Sequence, residues 1–323
     1  MKILRDIILA IFLLAVSAWF VTTQPILVSA KSISTPNVDP QLLKSHVVML
    51  SETLPARGGF EKSLNPTVEW IEQQLQPFGK STRQSYKNND ETFYNILIDF
   101  GPVLSTEATD EIIIVGAHYD TAHSYPGADD NASGVAALIE LARLLSQNEK
   151  SLTSHIQLAF YALEEPPYFR TKKMGSFIHA SRLKEKQQKV KMMIALDMIG
   201  YFSDEKNSQH YPIPFMEHLY SDRGDFITVV GNLSNMLTTR KVKKGMISAT
   251  ELPVYSINAP TLIQGIDFSD HLNFWHFGYP AVLITDTSFM RNTAYHTKQD
   301  TADRLDYVKM TEVVKGLYQA VIQ

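Results

Sequence analysis

Glu111-Ile112-Ile113-Ile114-Val115-Gly116-Ala117-His118-Tyr119-Asp120 is the stretch on which the fold turns. Its apolar part, 111–117, is short and unbroken, as in a strand buried on both faces. It then changes abruptly to His118, Tyr119 and Asp120. The same change recurs along the chain. A strand over 156–163 runs into Glu164-Glu165, and one over 190–196 runs into Asp197. A strand over 281–285 leads, through a loop, to Tyr295-His296.

Between these strands lie helical patterns. Helices are expected over 41–54, 65–78, 133–146, 174–184, 233–242, 269–276 and 307–322. Further strands are expected over 93–100 and 226–231. Strands alternating with helices make a mostly parallel sheet covered on both faces, a single three-layer α/β domain. Two irregular stretches interrupt it, 166–173 and 201–225. Long loops in a compact domain tend to be functional, and the second is expected to form a rim or lid.

In open parallel sheets, ligands bind at the carboxyl ends of the strands. Four strands therefore bring imidazoles and carboxylates to one edge, and Asp129-Asp130-Asn131, just before the helix over 133–146, adds more. Each piece alone has an ordinary explanation: a satisfied polar His118, a solvated Glu164-Glu165 pair, a helix-capping Asp129-Asp130-Asn131, a loop-capping Asp197. Their common position at strand ends favours a shared site. So many acids together are costly unless a cation compensates them. The chain has no cysteine, which excludes disulfides, thiol nucleophiles and Cys-ligated zinc. A metal here must be held by His, Asp and Glu, a donor set that suits zinc and admits other divalent ions. Other catalytic templates are missing: His-Glu-x-x-His, Gly-x-Ser-x-Gly, a phosphate loop and Gly-x-Gly-x-x-Gly.

The motifs, in order, resemble those of the co-catalytic two-zinc aminopeptidases, the bacterial leucyl aminopeptidases and aminopeptidase Y relatives of clan MH. The segments are Gly116-Ala117-His118-Tyr119-Asp120, Gly127-Ala128-Asp129-Asp130-Asn131-Ala132-Ser133-Gly134, Ala162-Leu163-Glu164-Glu165, Leu196-Asp197-Met198 and Tyr295-His296-Thr297-Lys298-Gln299-Asp300-Thr301. The resemblance implies a mixed, mainly parallel sheet of the zinc-exopeptidase type. It implies two zinc ions per chain, one on His118 and Asp197, the other on Glu165 and His296, with Asp130 bridging them. Glu164 would be the general base, Asp120 would orient His118, and Tyr295 would steady the oxyanion. The implied substrate is a peptide or aminoacyl compound, cleaved at its N-terminal residue. The chain departs from the family in its longer segment after Glu165 and in the 201–225 loop, both of which bear on specificity. The alternatives are a single-zinc glutaminyl cyclase-like acyltransferase, which shares the fold, and a non-catalytic binding relative, which predicts lost ligands or a lost Glu164.

Composition fits one folded domain: 44% of residues are hydrophobic and 20% charged, enough for a full core. The formal net charge of −4 and the lack of a basic stripe exclude nucleic acid as a partner. At the N-terminus, Lys2 and Arg5 precede an apolar run over 7–21, and Val28-Ser29-Ala30 offers small residues for cleavage. That is a secretory signal pattern, so the protein is expected to be exported to the periplasm or outside the cell. An uncleaved membrane anchor is the competing reading. The chain divides into residues 1–30 as signal or anchor, 31–39 as linker and 40–323 as the metallopeptidase domain.

Overall fold

The structure is a computed structural model and describes residues 2–26, 35–54, 56–104 and 110–323. The cleavage segment Val28-Ser29-Ala30 and residues 31–34 of the linker lie outside these residues. Helix α1 (Lys2–Thr23) stands apart at the N-terminus, its apolar residues exposed from Ile3 to Phe20. It extends beyond the apolar run over 7–21 at both ends. The domain begins with α2 (Pro40–Val48), whose first turn is capped by Asp39 accepting from the Gln41 amide. Helix α3 (Glu61–Leu75) follows. The sequence pattern starts α3 at Asn65, in front of Pro66. The helix instead begins a turn earlier, because the missing Pro66 N–H costs one ladder bond while Leu64, Val68, Ile71 and Leu75 share one buried face.

Strands β1 (Thr82–Asn88), β2 (Glu91–Phe100) and β3 (Glu111–His118) precede α4 (Gly134–Gln147). Then come β4 (His155–Tyr161), α5 (Gly175–Glu185), β5 (Lys189–Leu196), β6 (Ile227–Gly231) and α6 (Met236–Ala249). Strand β7 (Val254–Asn258), α7 (His271–His276), β8 (Ala281–Thr285) and α8 (Tyr307–Ile322) complete the chain. The eight strands form one mixed sheet in the order β1-β2-β4-β3-β5-β8-β6-β7. The central run β4-β3-β5-β8 is parallel, and antiparallel joints flank it at β2–β4 and β8–β6.

Strand β3 divides its side chains between two cores. Ile113, Val115 and Ala117 pack with the residues of α4 and α8 on one face, and Ile112 and Ile114 pack with those of α5 and α7 on the other. The period-two alternation of a strand with both faces apolar therefore builds three layers. It also fixes where the polar residues go: the parallel central strands end at one edge, and His118, Glu164-Glu165 and Asp197 emerge there.

Candidate metal centre

Five predicted ligand residues meet at that edge. His118, the last residue of β3, is fully buried. Its Nε2 lies 3.3 Å from Asp130 Oδ1 and 3.6 Å from Asp197 Oδ1. His296 Nε2 lies 3.2 Å from Asp130 Oδ2 and 3.0 Å from Glu165 Oε2. The two oxygens of Asp130 thus face different imidazoles. His118, Asp130 and Glu165 each offer a ligand atom within 4.8 Å of the others.

These spacings suit a metal. Donors at about 2.0–2.2 Å from a tetrahedral zinc lie about 3.3–3.6 Å from one another. His118 Nε2 is buried with no hydrogen-bond partner among the described residues, although three carboxylates surround it. A ring nitrogen placed so, on a donor set of imidazoles and carboxylates, fits a ligand of a divalent cation.

The electrostatics agree. Burial pushes the Glu165 carboxyl up to about 8, reinforced by Asp130 and opposed by His296. Burial also raises Glu164 well above the usual carboxylate range, and raises Asp197. Asp130 goes the other way: burial would raise it, but the His118 and His296 imidazoles facing its two oxygens hold it well below its ordinary value. Burial would lower His296, yet its contacts with Asp130 and Glu165 carry it to about 10. Imidazole protons here do what a cation would do, namely compensate a dry cluster of acids.

The backbone around the ligands is held from behind. Asp120 Oδ1 accepts from the Glu164 amide and Oδ2 from the Glu165 amide, each at 3.1 Å. Its carboxylate is 3.6 Å from His118 Nδ1, whereas its main-chain carbonyl is closer, at 3.2 Å. Orientation of His118 by Asp120, implied by the resemblance, therefore comes first from the carbonyl, and the carboxylate positions the two glutamates. Glu165 Oε1 accepts from the Ala122 amide at 2.8 Å. Tyr295 lies flat on His296, ring centroids 3.8 Å apart. Three residues beside or among these ligands, Leu163, Met198 and His296, have positive φ (61°, 51° and 53°), a costly conformation for side-chain-bearing residues that clusters at functional sites.

Sequence reasoning passes over several supporting residues. Asp300 accepts from the amides of Asp129 (2.9 Å) and Asp130 (3.0 Å). Asp129 accepts from the Gly200 amide and from Asn292 Nδ2, each at 2.9 Å. Arg57 is 1% exposed, donates to the carbonyls of Tyr119 (2.9 Å), Gly127 (2.8 Å) and Leu50, and so ties the 119–127 segment to the turn that follows α2. Burial lowers its guanidinium to about 10, opposed by Asp300, Asp120, Asp130 and Glu165. Its signal is Arg57-Gly58-Gly59, a charge among apolar and small residues between two helices. Gly127 sits at φ +57°, where a Cβ would meet the Asp130 carbonyl at 2.3 Å. Asp270 is buried beside the cluster, and burial pushes it to about 7.

Asp130, Glu164, Glu165, Asp197, Tyr295 and His296 line one wall of an open cavity of about 200 Å³. The remaining wall is apolar and aromatic. The 166–173 stretch contributes Phe169, and the 201–225 stretch contributes Tyr211, Met216 and Tyr220, so both irregular segments reach the cavity.

Comparison with known proteins accords with this arrangement. A family model described as Peptidase family M28 matches residues 102–321. The chain is 47% identical over 295 residues to the uncharacterized protein YfbL of Escherichia coli (strain K12), covering 88% of both. It is 25% identical over 262 residues to leucine aminopeptidase 1 of Paracoccidioides brasiliensis (strain Pb03), covering 77% of this chain and 62% of that relative, under two thirds of its length. Its fold is similar to that of BSAP, a zinc aminopeptidase from Bacillus subtilis, with a TM-score of 0.68 at 15% identity over 90% of this chain and 95% of that one. A Bacteroides thetaiotaomicron glutaminyl cyclase bound to N-acetylhistamine has a TM-score of 0.64 at 18% identity, over 90% of this chain and 99% of that one. At those identities the likeness is one of fold. With a family model matching well over half of its residues and running through the whole strand-end cluster, the chain belongs to peptidase family M28.

Proposed function

We propose that the protein is an exported zinc aminopeptidase holding two zinc ions, one on His118 and Asp197, one on Glu165 and His296, with Asp130 between them. The observation that carries this is the divided aim of Asp130, one oxygen 3.3 Å from His118 Nε2 and the other 3.2 Å from His296 Nε2. Each imidazole also has its own second carboxylate, Asp197 or Glu165. Ions bound here would polarise the scissile carbonyl and make water a better nucleophile near neutral pH.

The chain's own residues divide the remaining work. Glu164 reaches the cavity but lies 4.0 Å from His118 Nε2, farther than Asp130 or Asp197. A carboxyl raised by burial is suited to take a proton from the attacking water and return it to the leaving amine. Asp120 fixes the peptide segment that carries Glu164. Tyr295, on the cavity wall, is the group we assign to the developing oxyanion. The apolar part of the cavity fits a large apolar first side chain, while the acid cluster at one wall suits the free α-amine.

Lys2 and Arg5, in the first turns of the apolar helix, support a domain on the side of the membrane away from the cytoplasm. The cyclase reading rests on the shared fold and one metal; the two complete imidazole–carboxylate pairs support two. The non-catalytic reading predicts a lost ligand or a lost Glu164, and every one of these residues is present. The experiment is a panel of aminoacyl-amides and dipeptides with free and blocked N-termini. Release of the first residue from free substrates alone is expected. Cleavage of the blocked ones would overturn the exopeptidase assignment, and cyclisation of N-terminal glutamine without hydrolysis would favour the cyclase.

A further inference from the structure

We propose that α1 is a retained membrane-spanning helix whose C-terminal turn is part of the folded domain, so that β7, which contributes Ile257 to the apolar cavity, stands at the membrane face. The inference is independent of how many metals the site holds.

The helix is suited to lipid and to little else. Its exposed apolar window has 18 residues, about 27 Å at 1.5 Å per residue, close to a hydrocarbon core of about 30 Å. None of its apolar window is buried by the domain. A helix apolar on every face belongs in a protein core or in a bilayer, and here the protein covers none of it.

Its last turn is different. The final carbonyls of a helix have no partner within the helix, and here distant residues supply them. Thr23 O accepts from Lys243 Nζ at 2.8 Å and from Ser256 Oγ at 2.7 Å. Val21 O accepts from Asn258 Nδ2 at 3.1 Å. Arg240 donates to Pro25 O at 3.1 Å, and its guanidinium lies over the Phe20 ring, 5.4 Å from the centroid. Two cations thus stand at the negative end of the α1 dipole. Thr23, Gln24 and Lys243 are 8%, 4% and 6% exposed. A buried ammonium needs acceptors, and Lys243 finds one of its two in α1, 220 residues away in sequence. A segment destined for removal has no use for a cap built from α6 and β7.

The joint reaches the catalytic cavity through one strand. Ser256 and Asn258 bond to α1, while Ile257 between them lines the cavity. This is the alternation of a strand read from both sides. Leu237 lies one turn before Arg240 on the same side of α6 and is 84% exposed, as expected of a residue meeting the lipid interface.

The test uses the full chain, tagged at its C-terminus and expressed in a bacterium. Mass spectrometry is expected to find residues 2–23 retained, and alkaline carbonate should leave the protein in the membrane. Because the chain has no native cysteine, Pro25→Cys with Arg240→Cys, both partly exposed where Arg240 donates to Pro25 O, should be joined by a short bis-maleimide in intact membranes. Pro25→Cys with Lys150→Cys should not be joined. The Lys243, Ser256 and Asn258 bonds to the last turn of α1 stay in place in these variants. In Lys243→Ala, protease cleavage within 24–39 should release the domain about tenfold faster, as a locally opened joint would allow. A mature chain beginning after residue 23, extraction by carbonate, or no 25–240 cross-link despite labelling of both single cysteines would overturn the proposal. The cross-link decides the matter even if Lys243→Ala does not fold.

Discussion

Asp130 is the residue around which the site is organised. Its two oxygens separate two imidazoles, and its amide and that of Asp129 are held by Asp300. Asp300→Ala would leave two buried N–H groups without acceptors, at about 1–3 kcal/mol each. We expect a lower melting temperature and metal affinity weakened roughly 10–100-fold, the usual effect of removing support behind a ligand; titration with a competing chelator measures the second. Glu164→Gln tests a different role. It keeps the shape but cannot take a proton, so hydrolysis should fall by roughly 10²–10⁴-fold with metal content unchanged. Full activity in that variant would contradict the base assignment. Much of this was legible in residue types at strand ends. Spacing alone could not choose between Asp129 and Asp130; the ordered motifs chose, and the geometry separates the two, since Asp129 turns away to Gly200 and Asn292. Arg57 was not legible as a site residue, because its partners are carbonyls brought near only by folding.

At the scale of elements, the strands that carry the proposed ligands follow from their apolar runs. The sequence pattern misses β1 and β7, both at sheet edges. Strand β1 reads Thr-Arg-Gln-Ser-Tyr-Lys-Asn, mostly exposed, with no apolar run to announce it, and it forms because β2 offers a full antiparallel ladder. Strand β7 spans only Val254–Asn258 and carries polar residues where it meets α1. Helix α6 runs past the expected end at 242 to Ala249, because Val242, Met246 and Ala249 continue one buried face. Strand β3 is the element whose loss would cost most. Ile114→Ala, in a fully buried position, should destabilise the fold by about 2–5 kcal/mol, read as a lower urea midpoint with an unchanged slope. An effect within about 0.5 kcal/mol, as at a surface position, would contradict the two-faced burial of β3.

For the whole molecule, three layers buried on both sides of one sheet bring several histidines into the interior. Burial lowers His46 to about 4, His179 to about 3 and His271 to about 4. Their folded values lie below the unfolded value of about 6.5, so the folded state binds fewer protons in that window. Stability from their neutral state is complete above about pH 6.5 and is lost as pH falls toward about 4, by up to roughly 3 kcal/mol for His46. Buried carboxyls such as Glu165 and Asp270, raised by burial, act in the opposite direction, so the share of His46 is read as a difference. As pH falls from about 6.5 to about 4, His46→Leu should gain stability relative to the unaltered protein in urea denaturation, and no change in that difference would contradict the burial of His46 as a neutral ring. The α/β class, the single domain and the apolar N-terminal helix were all legible in the periodicities. The antiparallel joints that make the sheet mixed were not, since strand direction depends on connections that loop over the sheet. The central claim, a pair of metal ions shared by Asp130, is tested most directly by counting zinc per chain by elemental mass spectrometry on protein purified without chelator. We expect about two ions per chain, falling to about one in His296→Ala. One ion per chain in the unaltered protein would contradict the account.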